Sequence, residues 1–406
     1  MRPLYSAVYL WWRHSTGLLL VLTALNTYAT ETVVPSRAIV PTGGVPQQLL
    51  ALIREPPLGL PAVPVPATNL PTEARIALGR KLFFDRRLSF NGTLSCAMCH
   101  IPEQGFTQYE LKTPVGIEGR FVKRNAPSLY NVAYRRHLFH DGRESSLENQ
   151  VWQPLLRNNE MANPSISFVL DTLVQASDYD GMFEAAFQRG PTMETLGMAL
   201  ASYQRGLLSA NSAFDRWYFG GEPNAMSAAA QRGFELFQRQ GCVACHRLSA
   251  QYALFSDGEF HDTGIGYARA MLADPEQGQA VRLAPGVSVV PTVSFARPNN
   301  SDVGRYEATG RPEDRWLYLT PSLRNVAITA PYMHDGSMSD LPTVLNYYNA
   351  GAVSHPGLDP RLRPMGLDAG QLTDLQRFLE ALTGDNIDTL RADGRAAAIG
   401  DRLEAR

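Results

Sequence analysis

Four stretches of the chain carry the spacing of apolar residues that is typical of amphipathic helices. Two of them resemble each other: "TEARIALGRKLFF" begins at Thr72, and "SAAAQRGFELF" begins at Ser227. Each opens on a residue type that favours the helix N-cap and continues with a glycine and a Leu-Phe pair. The repeated pattern predicts two related helical units within one chain.

A third helical pattern lies at 339–351, "SDLPTVLNYYNAG". Asp340 can cap its N-terminus, and Gly351 can end it. One face of this predicted helix carries Leu341, Val344, Leu345 and Tyr348. The phenol of Tyr348 is therefore expected to point inward. The fourth pattern, at 372–383, predicts one further helix.

Glycine and proline are frequent, with 33 and 28 of 406 residues, and they separate the helical patterns. The stretch 253–315 is polar and rich in both, so we expect long irregular loops there. The predicted fold class is therefore mainly α with long irregular loops. The formal net charge is −2 and no block of basic residues occurs, so no nucleic-acid partner is expected.

The N-terminal segment has the pattern of an export signal. Arg2 and Arg13 precede the apolar run "GLLLVLTAL" at 17–25, and "TYA" at 27–29 offers small residues for cleavage. We predict a signal peptide at 1–29, a periplasmic location and no membrane span in the mature chain, because the run is too short to cross a bilayer. The preceding "AVYLWW" leaves an uncleaved anchor open as an alternative.

All four cysteines lie in two matching frames, "CAMCH" at 96–100 and "CVACH" at 242–246. C-x-x-C-H is the attachment signature of c-type haem, in which two sulfurs bond to the porphyrin and the histidine binds the iron. Disulfides are the usual expectation for an exported chain, and zinc is a further alternative that leaves both histidines unexplained. The predicted thioether positions are Cys96, Cys99, Cys242 and Cys245, and the predicted iron ligands are His100 and His246.

The repeat divides the chain into two cytochrome-c-like helical domains, each with one covalent haem c. A glycine- and proline-containing interruption, "YFGGEPNAMS" at 218–227, marks the boundary. The predicted segments in chain order are a signal peptide at 1–29, a Pro-rich lead-in at 30–70, a first haem domain at 71–222, a second haem domain at 223–385 and a tail at 386–406. We expect the lead-in to be extended and poorly packed.

Further motifs accompany the two haem sites. They are "KRNAPSLYNVAY" at 123–134, "LFHDGRESSLENQ" at 138–150, "NNEM" at 158–161 and "TPSLRNVAITAPYMHDGS" at 320–337. Together with the paired C-x-x-C-H motifs, they make residues 71–385 resemble the bacterial di-haem cytochrome c peroxidase family, which includes the MauG enzymes. The resemblance implies a first haem that reacts with peroxide and a second haem that passes electrons to it.

The resemblance also implies roles for particular residues. Glu160 falls on the family's glutamate over the peroxide pocket, where a carboxylate can take a proton from H2O2 and return it to the leaving oxygen. Gln150 falls on a pocket glutamine that would hydrogen-bond peroxide. Outside this context, both would be read as solvated polar residues. Asn125, Thr329 and Pro331 match positions that hold Ca2+ between the two domains, and amide and carbonyl oxygens suit that ion.

Two departures from the family pattern concern the first haem and its link to the second. Ordinary members carry a histidine shortly before "RNAP" that blocks the first haem, whereas this chain has none between His100 and His137. The resemblance therefore implies an open distal side. His140 stands where the family has a tryptophan between the haems. An imidazole is a poorer site for electron transfer but can move protons, and iron ligation or a structural role stays open.

A third departure concerns the second haem. The family register places Tyr348 where the peroxidases have a methionine ligand, and the MauG members have tyrosine there. A phenolate is hard and anionic, so it stabilises Fe(III) over Fe(II). Met333, Met338 and Tyr347 are the alternative ligands, and Tyr348 would then be a core tyrosine.

The resemblance thus implies an exported oxidoreductase of the cytochrome-c peroxidase type that reduces H2O2 to water. A small c-type cytochrome or cupredoxin would supply the electrons, and a homodimer is compatible with the family. The alternative is a MauG-like enzyme that oxidises Trp or Tyr side chains of a partner protein. Tyr348 and the open first haem favour it, whereas His140 counts against it. A non-catalytic electron carrier is a third interpretation.

Overall fold

The structure is a computed structural model that describes residues 44–272, 281–284, 287–289 and 302–395. The predicted signal peptide, the start of the lead-in and the end of the tail lie outside the described residues. Within the described ranges, no helix combines the length and apolar character needed to cross a membrane.

Helices dominate the described chain, as the sequence predicts. They are α1 Val45–Arg54, α2 Glu73–Phe84, α3 Leu147–Gln150, α4 Trp152–Leu156, α5 Ile166–Gln175, α6 Met182–Phe187, α7 Met193–Arg205, α8 Ala213–Tyr218, α9 Ala228–Arg239, α10 Ile265–Tyr267, α11 Tyr306–Thr309, α12 Leu341–Asn349, α13 Ala369–Glu380 and α14 Ile387–Arg395. The remainder of the described chain is mostly turns and loops, so the fold is mainly α with long connections.

The described residues also contain four short strands in two antiparallel pairs. Strand β1 Phe260–His261 pairs with β4 Tyr318–Leu319, and β2 Val281–Ala284 pairs with β3 Val287–Val289. The stretch 253–315, for which we expected irregular loops, therefore holds three strands and the short helices α10 and α11. Elements of two to four residues are too short to produce a detectable apolar period.

The first of two hydrophobic cores is built from α1, α2, α5, α6 and α7, and Cys96 of the first haem motif packs against it. Helix α14, which belongs to the predicted tail, adds Ile387 and Leu390 to the same core. Gly79 permits close contact between α2 and α7, because a Cβ there would lie 1.9 Å from the carbonyl oxygen of Ala199.

The second core is built from α8, α9, α12 and α13, and Cys242 of the second motif packs against it. Gly233 permits close contact between α9 and α13 in the same way, because a Cβ there would lie 2.0 Å from the carbonyl oxygen of Asp374 in α13. The glycine that recurs in both halves of the sequence thus has one physical role. It lets the helix before each haem motif approach its packing partner.

The lead-in packs more closely than predicted. The expectation of an extended, poorly packed segment is wrong for α1, which buries Leu49, Leu50 and Ile53 in the first core. Farther along, the carbonyl oxygen of Gly59 accepts a hydrogen bond of 2.6 Å from Arg324. Proline content misled the prediction because Pro46 lies in the first turn of α1, where proline is compatible with a helix.

The predicted helix starts at Thr72, Ser227 and Asp340 are confirmed. Each side-chain oxygen accepts a hydrogen bond from the backbone N–H three residues later, at 3.2, 3.2 and 2.8 Å. Helix α13 begins three residues before the predicted start at 372, because Asp368 and Gln371 form a capping box.

Candidate haem sites

Both C-x-x-C-H motifs fold into the same local structure. Cys96–Met98 and Cys242–Ala244 each form a single 3-10 turn. In both motifs, the backbone N–H of the histidine donates to the carbonyl oxygen of the first cysteine at 2.9 Å. The four cysteines are half-buried and form no disulfide. The turn brings two sulfurs and an imidazole together, as covalent haem attachment requires.

The thiols do not resemble a zinc site. Burial is the main cause that raises the pKa of Cys96 and Cys99 to about 12 and that of Cys242 to about 11. Among the described residues, one group could hold a metal through three side chains, and it contains a single cysteine: Cys245, Asp257 and His261. A structural zinc site normally draws four ligands together, so the arrangement fits haem attachment better.

Both motif histidines are oriented for iron binding. Nδ1 of His100 lies 3.1 Å from the carbonyl oxygen of Phe106, and Nδ1 of His246 lies 2.9 Å from that of Phe255. Burial lowers the pKa of both imidazoles, which are therefore neutral at pH 7. A neutral ring that donates from Nδ1 keeps its lone pair on Nε2 for a metal.

Glu160 lies in the turn after α4, near the first haem motif. Its side chain is 21% exposed, and its Oε1 is 4.0 Å from Nε of Arg157. Burial raises the pKa of Glu160, while Arg157 and Arg143 act in the opposite direction. The carboxylate in turn contributes, after burial, to the raised pKa of Cys99. A carboxyl group that can gain and lose a proton therefore lies next to the first attachment site.

Gln150 is the last residue of α3 and is half-buried. Its side chain forms no hydrogen bond within the described part of the chain. The neighbouring Gln153 accepts a hydrogen bond of 2.6 Å from Nε of Arg143 instead. Among the described residues, the two predicted pocket side chains are therefore not joined by a hydrogen bond.

His140 is held by backbone groups from both halves of the chain. Its Nε2 lies 3.0 Å from the carbonyl oxygen of Asn125, and its own carbonyl oxygen accepts a hydrogen bond of 2.8 Å from the N–H of Leu319. Burial lowers the pKa of His140 to about 4, so the ring is neutral. A ring that donates from Nε2 to a carbonyl group does not offer that nitrogen to iron.

The two neighbouring tyrosines of α12 differ in what their hydroxyls contact. The hydroxyl of Tyr347 donates to the carbonyl oxygen of Thr263 at 2.7 Å and accepts from the N–H of Val353 at 3.2 Å. The hydroxyl of Tyr348 forms no hydrogen bond with any described residue. Burial raises the pKa of Tyr348, with smaller contributions from Tyr347 and from Cys245 and its motif partner. Tyr348, and not Tyr347, has a free phenol near the second haem motif.

The predicted calcium residues come from two segments that run side by side. The backbone N–H of Asn125 donates to the carbonyl oxygen of His334 at 2.7 Å. Its side-chain Nδ2 donates to the carbonyl oxygen of Lys112 at 3.0 Å, which leaves Oδ1 free to bind a cation. Within the described part of the chain, no hydrogen bond joins the Asn125 side chain to Thr329 or Pro331.

Arg135 is a site residue that the sequence analysis missed. Its guanidinium forms no ion pair or hydrogen bond with any described residue, and burial lowers its pKa to about 10. It acts electrostatically on both His100 and His140. With Arg136 and Arg247, it lines a cavity of about 410 Å³ bounded by both halves of the chain.

A buried cation without a partner is costly unless an anion neutralises it. The propionate groups of a haem are such anions, so Arg135 fits the cofactor. The sequence carries a signal for this site in the arginine pair at 135–136, which is followed by no acidic residue before 141.

Replacing Arg135 by glutamine should lower the reduction potential of the haem beside it by tens of millivolts, on the order expected for removing one nearby charge. The lost positive charge would otherwise favour the reduced iron. Spectroelectrochemical titration of the holoprotein measures the shift. Arg136→Gln is the matched control, because this exposed arginine should have a smaller effect. Equal potentials in the wild type and the Arg135 variant would show that Arg135 does not face a haem.

Comparison with known proteins gives consistent results. The sequence model of the family described as di-haem cytochrome c peroxidase matches residues 73–223. The chain is 37% identical to cytochrome-c peroxidase IdrP1 of Denitromonas iodatirespirans, a match that covers 81% of this chain and 86% of the relative. It is 34% identical to the methylamine utilization protein MauG of Methylorubrum extorquens, over 86% of this chain and 90% of the relative.

The fold is also similar to solved structures. A MauG-like protein associated with microbial copper homeostasis aligns with a TM-score of 0.68 and 29% identity, over 84% of this chain and 98% of that protein. The diheme peroxidase BthA from Burkholderia thailandensis shares the fold with a TM-score of 0.65 at 24% identity, over 82% of this chain and 91% of that protein.

Proposed function

Because the chain belongs to the di-haem cytochrome c peroxidase family, we propose that it reduces H2O2 to water in the periplasm with electrons from a small redox protein. Members of this family are oxidoreductases with two c-type haems. When bound, the haems supply the iron at which peroxide reacts and the electrons that reduce it. The proposal is carried by one observation, the half-buried carboxyl group of Glu160, whose charge acts on Cys99 of the first attachment motif.

In the proposed mechanism, the residues of this chain hold the cofactors and move the proton. His100 and His246 would hold the iron through Nε2, because Nδ1 of each ring donates to a backbone carbonyl group. The Glu160 carboxylate accepts a proton from H2O2 and returns it to the oxygen that leaves as water. Gln150 orients the peroxide by hydrogen bonding, a role that its uncommitted side chain permits.

A stopped-flow experiment tests the function. The holoprotein is mixed with H2O2 and a reduced small c-type cytochrome or cupredoxin, and oxidation of the donor is followed. We expect multiple turnovers, together with a high-spin signal from one haem in the resting-state EPR spectrum. Two low-spin haems that do not react with peroxide would instead support a non-catalytic electron carrier and contradict the proposal.

A second candidate function is oxidation of Trp or Tyr side chains on a partner protein, as a MauG-like enzyme would perform. The free hydroxyl of Tyr348 near the second motif favours it, because an anionic ligand would disfavour reduction of that haem. His140 counts against close equivalence to a MauG enzyme, because it stands where those enzymes have a tryptophan. Rapid turnover of a reduced cytochrome would refute an exclusive role in protein oxidation.

We also propose that Asn125, Thr329 and Pro331 contribute oxygen ligands to a Ca2+ ion between the haem domains. The side-chain oxygen of Asn125 is free, and the residues are of the types that calcium binds. We expect about one calcium per chain by elemental analysis and a lower content in Asn125→Leu. Full peroxidase activity in the calcium-free holoprotein would contradict the proposed calcium site.

Size-exclusion chromatography with light scattering distinguishes a monomer from the homodimer that the family allows.

A further inference from the structure

A hairpin at 114–122 lies against the turn that carries Glu160. The hairpin is closed by a bridge between Val115 and Phe121 and by a hydrogen bond of 2.9 Å from the N–H of Val122 to the carbonyl oxygen of Pro114. Ile117, near its tip, is buried, with 2% of its surface exposed. The hairpin is thus anchored in the protein rather than projecting into solvent.

Three consecutive residues of the Glu160 turn are hydrogen-bonded to this hairpin. The N–H of Ile117 donates to the carbonyl oxygen of Glu160 at 2.9 Å. Nη1 of Arg120 donates to the carbonyl oxygen of Asn158 at 2.7 Å, and Nδ2 of Asn159 donates to the carbonyl oxygen of Phe121 at 3.1 Å. The hairpin therefore holds residues 158–160 in addition to the turn's own hydrogen bond, which the N–H of Glu160 donates to the carbonyl oxygen of Arg157 at 3.0 Å.

Gly116 makes the contact sterically possible. A Cβ at this position would lie 2.1 Å from the carbonyl oxygen of Asn159 and 2.9 Å from Cα of Glu160. The φ angle of Gly116 is −89°, which any residue can adopt. Glycine is therefore required here for space and not for backbone conformation, and any side chain would push the Glu160 turn away.

The carboxyl group of Glu160 has little else to hold it. Its nearest charged neighbour, Arg157, is 4.0 Å away, and its side chain accepts no hydrogen bond within the described part of the chain. The direction of the side chain is consequently set by its backbone. We propose that the 114–122 hairpin is the positioning element for Glu160, with Gly116 and Arg120 as its positioning residues.

This inference rests on the proposed role of Glu160 as the proton-transferring group, and its test separates the two. The second-order rate constant with H2O2 is measured for the wild-type holoprotein, Gly116→Ala, Glu160→Gln and the double variant. We expect Gly116→Ala to slow the reaction by about 10- to 100-fold, since a displacement of about 1 Å can have this effect. In the Glu160→Gln background, Gly116→Ala should cause no further decrease of the rate constant, because the two residues act through one carboxyl group.

The dependence of the H2O2 rate constant on pH provides a second readout. A general loss of stability would lower the rate constant but would not shift the pH at which it falls. A displaced Glu160 becomes more exposed, so the acid limb of the Gly116→Ala profile should lie at lower pH than in the wild type. Arg120→Ala should shift the acid limb in the same direction. Arg120→Lys should restore part of the rate that Arg120→Ala loses. The control is Gly119→Asn, because Gly119 has a φ of +76° that asparagine tolerates, and no atom lies within 4 Å of its Cβ position.

The outcomes distinguish the two proposals. Additive losses in the double variant, with an unshifted acid limb, would overturn the positioning role and leave the role of Glu160 intact. A wild-type rate in Glu160→Gln would overturn the proposed role of Glu160 itself. A rate loss in Gly119→Asn equal to that in Gly116→Ala would also overturn the inference, because it would attribute the effect to any change in the hairpin.

Discussion

Replacing Glu160 by glutamine should lower the rate constant for the reaction with H2O2 by about 10²- to 10⁴-fold, the range that general acid–base catalysis contributes. Glutamine preserves the size of the side chain and can hydrogen-bond, but it cannot accept the peroxide proton. Because Glu160 accepts no hydrogen bond from described residues, the substitution removes only its 4.0 Å ion pair with Arg157. Stopped-flow spectroscopy of the holoprotein measures the rate constant directly.

The pH dependence of the same reaction gives a second check. The active form is the carboxylate, and burial holds its pKa above the ordinary value. The wild-type rate should therefore fall as the pH drops through that raised pKa, and this acid limb should disappear in Glu160→Gln. Asp171→Asn, in which a carboxyl group of α5 with no role in the proposed mechanism is neutralised, should keep both the rate and the limb. An acid limb retained in Glu160→Gln would assign the proton transfer to another group.

Replacing Tyr348 by methionine should change the EPR signal of the second haem and raise its reduction potential by about 100 mV or more, since methionine ligation raises haem potentials. If Tyr348 binds the second iron, as the family register predicts, the substitution exchanges a hard oxygen ligand for a soft thioether. The observation behind it is the free hydroxyl of Tyr348, which lies near both cysteines of the second motif. EPR of the oxidised holoprotein and a spectroelectrochemical titration measure the two effects.

Tyr347→Phe is the matched control for this substitution. Its hydroxyl is already engaged by Thr263 and Val353, so its removal should leave the second haem unchanged. A second-haem EPR signal that is the same in Tyr348→Met and the wild type would exclude Tyr348 as a ligand. A raised potential should also speed the acceptance of electrons from a reduced cytochrome, which would connect this residue to the choice between the two candidate functions.

The local features of this protein were largely predictable from sequence. The haem motifs, the recurring glycines and the caps at Thr72, Ser227 and Asp340 depend on residues within one or two turns of each other. Hydrogen bonds across three residues and a spacing of one turn are formed by the chain segment itself. For this reason, the family resemblance and the mainly helical fold could be stated before any tertiary contact was known.

The errors also have a physical cause. Helix α1 was missed because a proline-rich composition hides a stripe of three buried residues whose partners lie far along the chain. Arg135 was missed because a cation without a partner is recognisable only when its surroundings are known. The arginine pair at 135–136 is visible in the sequence, but burial and the absence of a counter-ion among the described residues are properties of the folded chain.

By itself, the sequence determined that this chain carries two covalent haem motifs on related helical units, because that chemistry is encoded in spacings of a few residues. Only the tertiary structure decided which of two adjacent tyrosines has a free hydroxyl, and that Gly116 packs against the turn bearing Glu160. Both depend on segments separated by tens of residues, whose contacts arise from packing of the whole molecule. The haem-binding chemistry is local, whereas the orientation of the groups around it is a property of the fold.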